Sequence, residues 1–263
     1  MRIFDFTDAI VRRPGASVVH GLRAGTEPGP ELAALMAEWA GYVEALRQAG
    51  LTVQELEPQE NFPDAIFVED PALVFAECAI LLRPGAPSRA AEAELLRPVL
   101  RDRFPEVLEQ TTGHADGGDV LVMPDRAYIG LSARTDVTGA SALQALLAQL
   151  GIAAEIAATP AEVLHLKTAS SVIDEETVLA TAPLVASGIF ANYRVLEVPH
   201  GEEGGANVLR LRDHVLVGAD YPRLIELLDN RGAKVIPLPN SEIAKIDAGF
   251  TCMSLRWRAA TIS

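Results

Sequence analysis

The folds open to this chain are limited most by a pattern that recurs along it at a spacing of roughly 40 to 55 residues, the range of propeller and repeat proteins. Each copy reads as a strand, a turn, a second strand, an amphipathic helix and a short closing strand opened by Gly or Pro. The first copy is partial, with a strand-like segment at 17–22, a helix over 30–48 and a strand at 51–56 after Gly50. Its helix is the best supported, because Leu32, Leu35, Trp39, Tyr42, Val43 and Leu46 fall on one face at spacings of three and four. The second copy has strands at 65–68 and 73–82, a helix over 88–104 and a closing strand at 107–109. In the third, strands at 120–123 and 127–131 flank a Pro-Asp turn, before a helix over 138–150 and a strand at 152–156. The fourth runs from 163 through strands at 171–174 and 177–181, a short helical piece over 183–190 and a strand at 194–198. The fifth has strands at 206–211 and 215–217, a helix over 221–230 and a strand at 234–238. A last strand, within 250–257, is free to complete the first copy. Five ββαβ units closed in this way make one α/β propeller domain over residues 1–263, with pseudo-five-fold symmetry and loops converging on the axis.

Composition narrows the function. With 22 Lys and Arg against 36 Asp and Glu, the net charge of −14 argues against a nucleic-acid backbone or an anionic membrane and favours a small cationic ligand. No apolar run approaches the roughly 18 residues of a membrane span, and the N-terminus lacks the long apolar core of a signal peptide, so the expected location is the cytoplasm. Two cysteines, Cys78 and Cys252, give neither a disulfide framework nor a metal-site spacing.

Four segments carry chemistry, each near the strand starts of a copy. Cys252 follows the turn signal Ala248-Gly249, where a side chain looks out of a strand end; it is either packing or a nucleophile. The segment 62–70 (FPDAIFVED) places Asp64, Glu69 and Asp70 among apolar residues, where carboxylates need a cation or hydrogen bonds. Adjacent in a regular strand, Glu69 and Asp70 face opposite sides, so at most one faces a ligand. The paired glycines between Asp116 and Asp119 permit unusual backbone conformations and close approach. His165 lies between apolar residues and alone reads as a hydrogen-bonded core histidine. Taken together, a thiol, an imidazole and a carboxylate are the parts of an activated nucleophile, its acid/base and the orienting group, and the surplus of carboxylates suits a positive electrophile.

In that order, 62–70, 116–119 (DGGD), 165–167 (HLK) and 246–252 resemble the dimethylarginine dimethylaminohydrolases of the guanidino-modifying, pentein superfamily. Further matches are 85–89 (GAPSR), 130–134 (GLSAR) and 204–207 (GGAN), so the resemblance spans about 18–257. It implies the five-bladed ββαβ pentein fold that the repeats indicate independently. It also implies Cys252 as nucleophile, His165 as general acid/base and Asp116 as the carboxylate that orients the histidine and touches the guanidinium. Asp70 is then the main guanidinium anchor, Asp64 helps hold the α-amine, and Arg89 and Arg134 hold the α-carboxylate. Glu69 lies in the binding segment with a role left open, while Leu22, in an entrance loop, and Ile246 contribute backbone carbonyls. Related deiminases often carry Glu where Asp116 stands, and the shorter side chain leans towards the dimethylarginine enzymes.

The resemblance implies hydrolysis of Nω-methylated arginines to citrulline and a methylamine through an S-alkylthiouronium on Cys252, with no metal and no cofactor. The other readings are an arginine deiminase or amidinotransferase on the same scaffold, and a non-catalytic pentein binding module, which has no use for the Cys252, His165 and Asp116 set. The oligomeric state is not fixed by the sequence, and a homodimer is compatible with it.

Overall fold

The computed structural model describes residues 2–26 and 28–259. Its strands form five separate three-stranded sheets, each with an inner strand antiparallel to the middle one and a middle strand parallel to the outer one. The parallel pair in each sheet needs a crossover, and a helix supplies it. In the first blade β1 (Asp8–Arg12) crosses through α1 (Leu32–Gln48) to β2 (Thr52–Leu56), and the inner strand is β15 (Ser254–Trp257) from the far end of the chain. The second blade holds β3 (Ala72–Val74), β4 (Cys78–Leu81), α2 (Glu92–Arg103) and β5 (Glu106–Glu109). The third holds β6 (Val120–Val122), β7 (Ala127–Leu131), α3 (Val137–Gln149) and β8 (Ala154–Ala158). The fourth has β9 (Ser170–Val172), β10 (Thr177–Ala180), α4 (Ala182–Ser187) and β11 (Arg194–Glu197). The fifth has β12 (Leu209–Leu211), β13 (His214–Gly218), α5 (Pro222–Asp229) and β14 (Lys234–Leu238), followed by the short α6 (Ser241–Ala244).

Burial explains the strand chemistry. Middle strands are covered on both faces, so β1, β4 and β10 are buried at every position and their central residues, 9–11, 78–81 and 178–180, are apolar without alternation. Each helix presents one stripe to its blade: Leu35, Trp39, Tyr42, Val43 and Leu46 of α1 are buried, as the sequence periodicity requires. The Glu31 carboxylate caps that helix by accepting from the amides of Ala33 and Ala34. Closure of the ring by β15 against β1 matches the expectation that the last strand completes the first copy.

Four expected strands differ from what is found. The segment 17–22 is a 3₁₀ turn (Ala16–His20), because Glu60 binds the amides of Ala16 and Ser17 and only Val18 is buried; the first-blade strand lies earlier, at β1. The apolar stretch 65–68 is a series of turns, with Ala65 and Phe67 amides bonded to the carbonyls of Phe62 and Asp64, and its burial comes from loop packing rather than a sheet. The run 73–82 is a tight hairpin rather than one strand, closed by the Phe75 amide on the Cys78 carbonyl. The strand containing the C-terminal cysteine is also shorter: β15 begins at Ser254, and Cys252 sits in the turn before it.

Candidate active site

The approach to each inner strand delivers one polar side chain to the same end of the propeller. Asp70 lies two residues before β3, Asp116 four before β6, His165 five before β9, Asn207 two before β12 and Cys252 two before β15. A pocket of about 190 Å³ at this end is lined by Leu22, Asp64, Asp70, Arg89, Arg134, His165, Ile246 and Cys252 among others. Eight of the ten sequence-derived candidates therefore meet in one place. Asp116 lies directly behind this lining, fully buried, while Glu69 faces away from it.

The loops are held by backbone bonds to buried acids. Asp119, with no exposure, accepts from the hydroxyls of Ser132 (2.7 Å) and Thr135 (2.6 Å) and from the Leu166 amide (2.9 Å), which fixes the 3₁₀ turn after His165. Its burial pushes its carboxyl up, and the same hydrogen bonds with the His165 charge oppose that. The paired glycines serve close approach rather than unusual dihedrals. A Cβ on Gly118 would come within 2.8 Å of Asp70 Oδ1 and 2.9 Å of the His165 ring, and one on Gly117 within 2.1 Å of the Glu69 carbonyl. Asp64 accepts from the Leu22 amide at 2.8 Å, and Asp247 accepts from Ala24 at 2.5 Å, so two carboxylates tether the entrance loop. Burial raises the Asp64 carboxyl against the pull of Arg89 and Arg134.

His165 Nε2 donates to Asp116 Oδ2 at 3.0 Å, and the other Asp116 oxygen accepts from the Gly85 amide at 2.7 Å. Burial pulls the imidazolium down, but Asp70, the bond to Asp116 and the charge of Asp119 outweigh it and lift His165 to about 9. At neutral pH the imidazole is therefore charged. Burial, reinforced by Glu69 and then Asp70, pushes the Cys252 thiol up to about 12, with Lys167 pulling weakly the other way. The resting site holds an imidazolium beside a neutral thiol, not an ion pair between them.

Arg89 is buried and heavily engaged. Its guanidinium is ion-paired with Asp70 and bonds Glu92 through Nε (3.0 Å) and Nη2 (2.7 Å), and Nη2 also reaches the Phe67 carbonyl (3.0 Å). Of its five N–H groups, one on Nη1 is left for a ligand. Asp70 is drawn below the usual carboxylate range by Arg89 and His165 despite complete burial, and Glu92, which burial raises more than Arg89 lowers, stands at about 7. Arg134 is half-buried, with no hydrogen bond or ion pair from its guanidinium among the described residues. It is the wall's freer receptor for an anionic group.

Glu69 and Asp70 do point to opposite sides, although they lie in the turn before β3 and not in the regular strand expected from the sequence. Glu69 is ion-paired with Lys167 (2.7 Å) and Arg256 (3.1 Å) and accepts from the Thr251 hydroxyl at 2.8 Å, so it braces the cysteine loop from behind and does not line the ligand pocket. The residue the sequence reading did not single out is Asn207. Its Oδ1 accepts from the Thr251 amide at 2.9 Å and its Nδ2 points to the Cys252 sulfur at 3.8 Å. Its position two residues before an inner strand, shared with Asp70 and Cys252, is the signal that marks it.

Asp70, Asp116 and His165 also bring one ligand atom each within 4.8 Å of one another, a geometry able to hold a metal ion. A metal bound there would occupy the cation position at the centre of the pocket and compete with any organic cation. Everything else on the pocket wall suits a planar cation with an anionic group at its other end. Asp70 on the wall and Asp116 behind it supply negative charge, Arg134 positive charge, and the Cys252 thiol and His165 imidazolium line the same pocket.

A family model described as arginine deiminase matches residues 53–203 of the chain. The chain is 35% identical over 254 residues to the N(G),N(G)-dimethylarginine dimethylaminohydrolase of Pseudomonas aeruginosa, covering 96% of this chain and 100% of that one. Among solved structures, a cysteine-to-serine variant of the Pseudomonas aeruginosa enzyme complexed with citrulline is similar with a TM-score of 0.93 at 35% identity, over 96% of this chain and 100% of that one. A histidine-to-glycine dimethylarginine dimethylaminohydrolase, solved as an adduct with S-methyl-L-thiocitrulline, is similar with a TM-score of 0.92 at 35% identity, over 95% and 99%. The fold shared with them is the five-bladed pentein propeller described above.

Proposed function

Because the chain belongs to the dimethylarginine dimethylaminohydrolase family, within the wider arginine deiminase family, we propose that it hydrolyses Nω-methylated arginines to citrulline and dimethylamine or methylamine. The observation that carries this reading is the charge pattern of the pocket. A thiol raised to about 12 and an imidazole raised to about 9 make a site short of positive charge, which a guanidinium supplies.

In this mechanism the substrate guanidinium sits against Asp70 and Asp116, its α-carboxylate on Arg134 with the remaining Arg89 N–H, and its α-amine near Asp64 and the carbonyls of Leu22 and Ile246. The fixed cation brings Cys252 to its thiolate, the S–H proton passing to solvent, and presents the central carbon to the sulfur. Attack forms the C–S bond and a tetrahedral adduct. The His165 imidazolium gives its proton to the departing amine, the C–N bond breaks, and an S-alkylthiouronium remains on Cys252. The neutral imidazole then takes a proton from water, hydroxide adds to the thiouronium carbon, and the C–S bond breaks as the new hydroxyl proton passes to the departing sulfur, releasing citrulline and the Cys252 thiol. Asp116 keeps Nε2 in place through both proton transfers. Asn207 is a positioning residue: its Nδ2 stabilises the thiolate and its Oδ1 holds the turn that carries it.

Turnover of asymmetric dimethylarginine, monomethylarginine and arginine should release citrulline and amine in equal amounts, with the methylated substrates preferred; an apolar group of this size is worth about 1–3 kcal/mol. Free arginine turned over equally well or better, with ammonia as product, would make the protein a deiminase. In acid-quenched His165→Gly protein, intact mass and peptide mapping should find a substrate-derived adduct on Cys252 and none on Cys78, which is buried in β4. An adduct on Cys78 would sink the assignment of the nucleophile.

A further inference from the structure

A second cavity, of about 400 Å³, occupies the propeller axis at the end opposite the active site and is lined by residues of all five inner strands, β15, β3, β6, β9 and β12. The two cavities share no lining residue and stand back to back. Sequence neighbours divide between them: Asp70 faces one and Glu69 the other, Cys252 one and Thr251 the other, and His165 and Lys167 part in the same way. The walls are mostly aliphatic, with Leu73, Val122, Val172 and Leu209 among them. A cavity of this volume, apolar with a few placed polar groups, is the usual form of a small-molecule site.

Its charge is opposite to that of the protein. In a chain of net charge −14, five basic side chains line the cavity against Asp5 and Glu69, and with Asp213, which pairs with Arg2 from outside the lining, two positive charges remain in excess. At the mouth the guanidinium groups of Arg2 and Arg210 both stack on the Phe4 ring, so like charges are held together. At the floor Glu69 is shared by two cations, Lys167 and Arg256, which leaves one positive charge uncompensated in a buried place. Among the described residues the donors there are not all used: Arg256, with its side chain 10% exposed, keeps a buried Nε without a hydrogen-bond partner, and the Lys167 ammonium has three N–H groups and one partner, Glu69. A buried unpaired N–H is costly unless something accepts from it.

We propose that this axial cavity is a binding site for a small amphipathic carboxylate, its head group on Arg256 Nε and Lys167 and its aliphatic or aryl body along the apolar walls. The head group accepts from the two idle donors and neutralises the excess charge of the floor, while the body covers the wall that water wets poorly. A cation of the same shape meets the excess positive charge, and a neutral alcohol meets the floor without charge. Short anions such as acetate gain the head-group contact alone.

The test is calorimetric titration of the full chain with octanoate, octylammonium, octanol and acetate, using wild-type protein, Cys252→Ser, Lys167→Met and Leu209→Trp. Octanoate should bind one per chain in wild-type and Cys252→Ser protein and at least tenfold more weakly in both Lys167→Met and Leu209→Trp, and octylammonium, octanol and acetate should each bind at least tenfold more weakly than octanoate. Octylammonium or octanol binding as well as octanoate, octanoate binding lost in Cys252→Ser, or no octanoate binding to wild-type protein at millimolar concentration would overturn the proposal. If either cavity variant does not fold by circular dichroism, the probe series on wild-type protein decides alone. None of these outcomes depends on which guanidino compound the other pocket takes.

Discussion

Substitution of Asp70 by Asn tests the electrostatic reasoning most directly, because one carboxylate raises both reacting groups. Asp70 is the largest contribution lifting His165 against burial, and it also raises Cys252, after burial and Glu69. Asparagine keeps the shape and an acceptor for the Gly118 amide, which now bonds Asp70 Oδ1 at 3.1 Å, and leaves Arg89 its pairing with Glu92. Removing an opposite charge at contact range lowers an imidazolium by about 1–3 units, or ~1.4–4 kcal/mol. His165 should therefore fall from about 9 towards, or below, its ordinary 6.5. The linkage has a definite sign. With a folded value above the unfolded one, the charged imidazole contributes stability that is complete below pH 6.5 and lost as pH rises through about 9. The wild-type advantage over His165→Gln in urea unfolding should accordingly shrink by ~3 kcal/mol across that window, and by much less when Asp70→Asn is the common background. The assay is NMR of labelled histidine, with His165 assigned by the His165→Gln spectrum. A wild-type His165 titrating near 6.5, or one unmoved by Asp70→Asn, would refute the claim that Asp70 keeps the imidazole charged at neutral pH.

Arg134→Ala should lower kcat/KM by the equivalent of about 2–5 kcal/mol while circular dichroism stays native, because the substrate carboxylate loses its freer partner; normal turnover in the folded variant would remove Arg134 from the binding site. Asn207→Asp keeps the acceptor for the Thr251 amide but turns an N–H into a carboxylate oxygen beside the sulfur. A hydrogen bond to a charged group is worth about 1.5–3 kcal/mol, so kcat should fall ~10- to 100-fold with KM little changed, and the pH midpoint of iodoacetamide alkylation at Cys252 should rise. An unchanged alkylation profile would make Asn207 a packing residue only.

The parts of this molecule that sequence shows well are those with a period. The α1 stripe, the hairpin of the third blade and the return of the last strand to the first blade follow from apolar spacing and turn chemistry, and those give the propeller. What sequence shows poorly is apolar loop. Residues 65–68 look like a strand because they are buried, yet their amides close turns on Phe62 and Asp64, since the chain must bend there to bring Asp64 and Asp70 to one pocket. Periodicity cannot separate burial in a sheet from burial in a packed turn. The site residues were visible for a different reason. Asp70, Asp116, His165 and Cys252 have chemistry that is costly or reactive in apolar company, whereas an amide such as Asn207 is not, so composition drew no attention to it. Topology does. In a ring of repeats the loop that enters each inner strand reaches the same end of the axis, so side chains two to five residues before the strands meet there. Four blades supply carboxylates, an imidazole and a thiol from those loops, and the fifth supplies an amide that points at the thiol sulfur. The same reasoning accounts for Glu69. One step along the chain from Asp70, it is turned through the ring to the other cavity, where its charge reaches Cys252 from behind as the largest influence on the thiol after burial. A carboxylate that does not line the pocket thus helps hold the Cys252 thiol neutral.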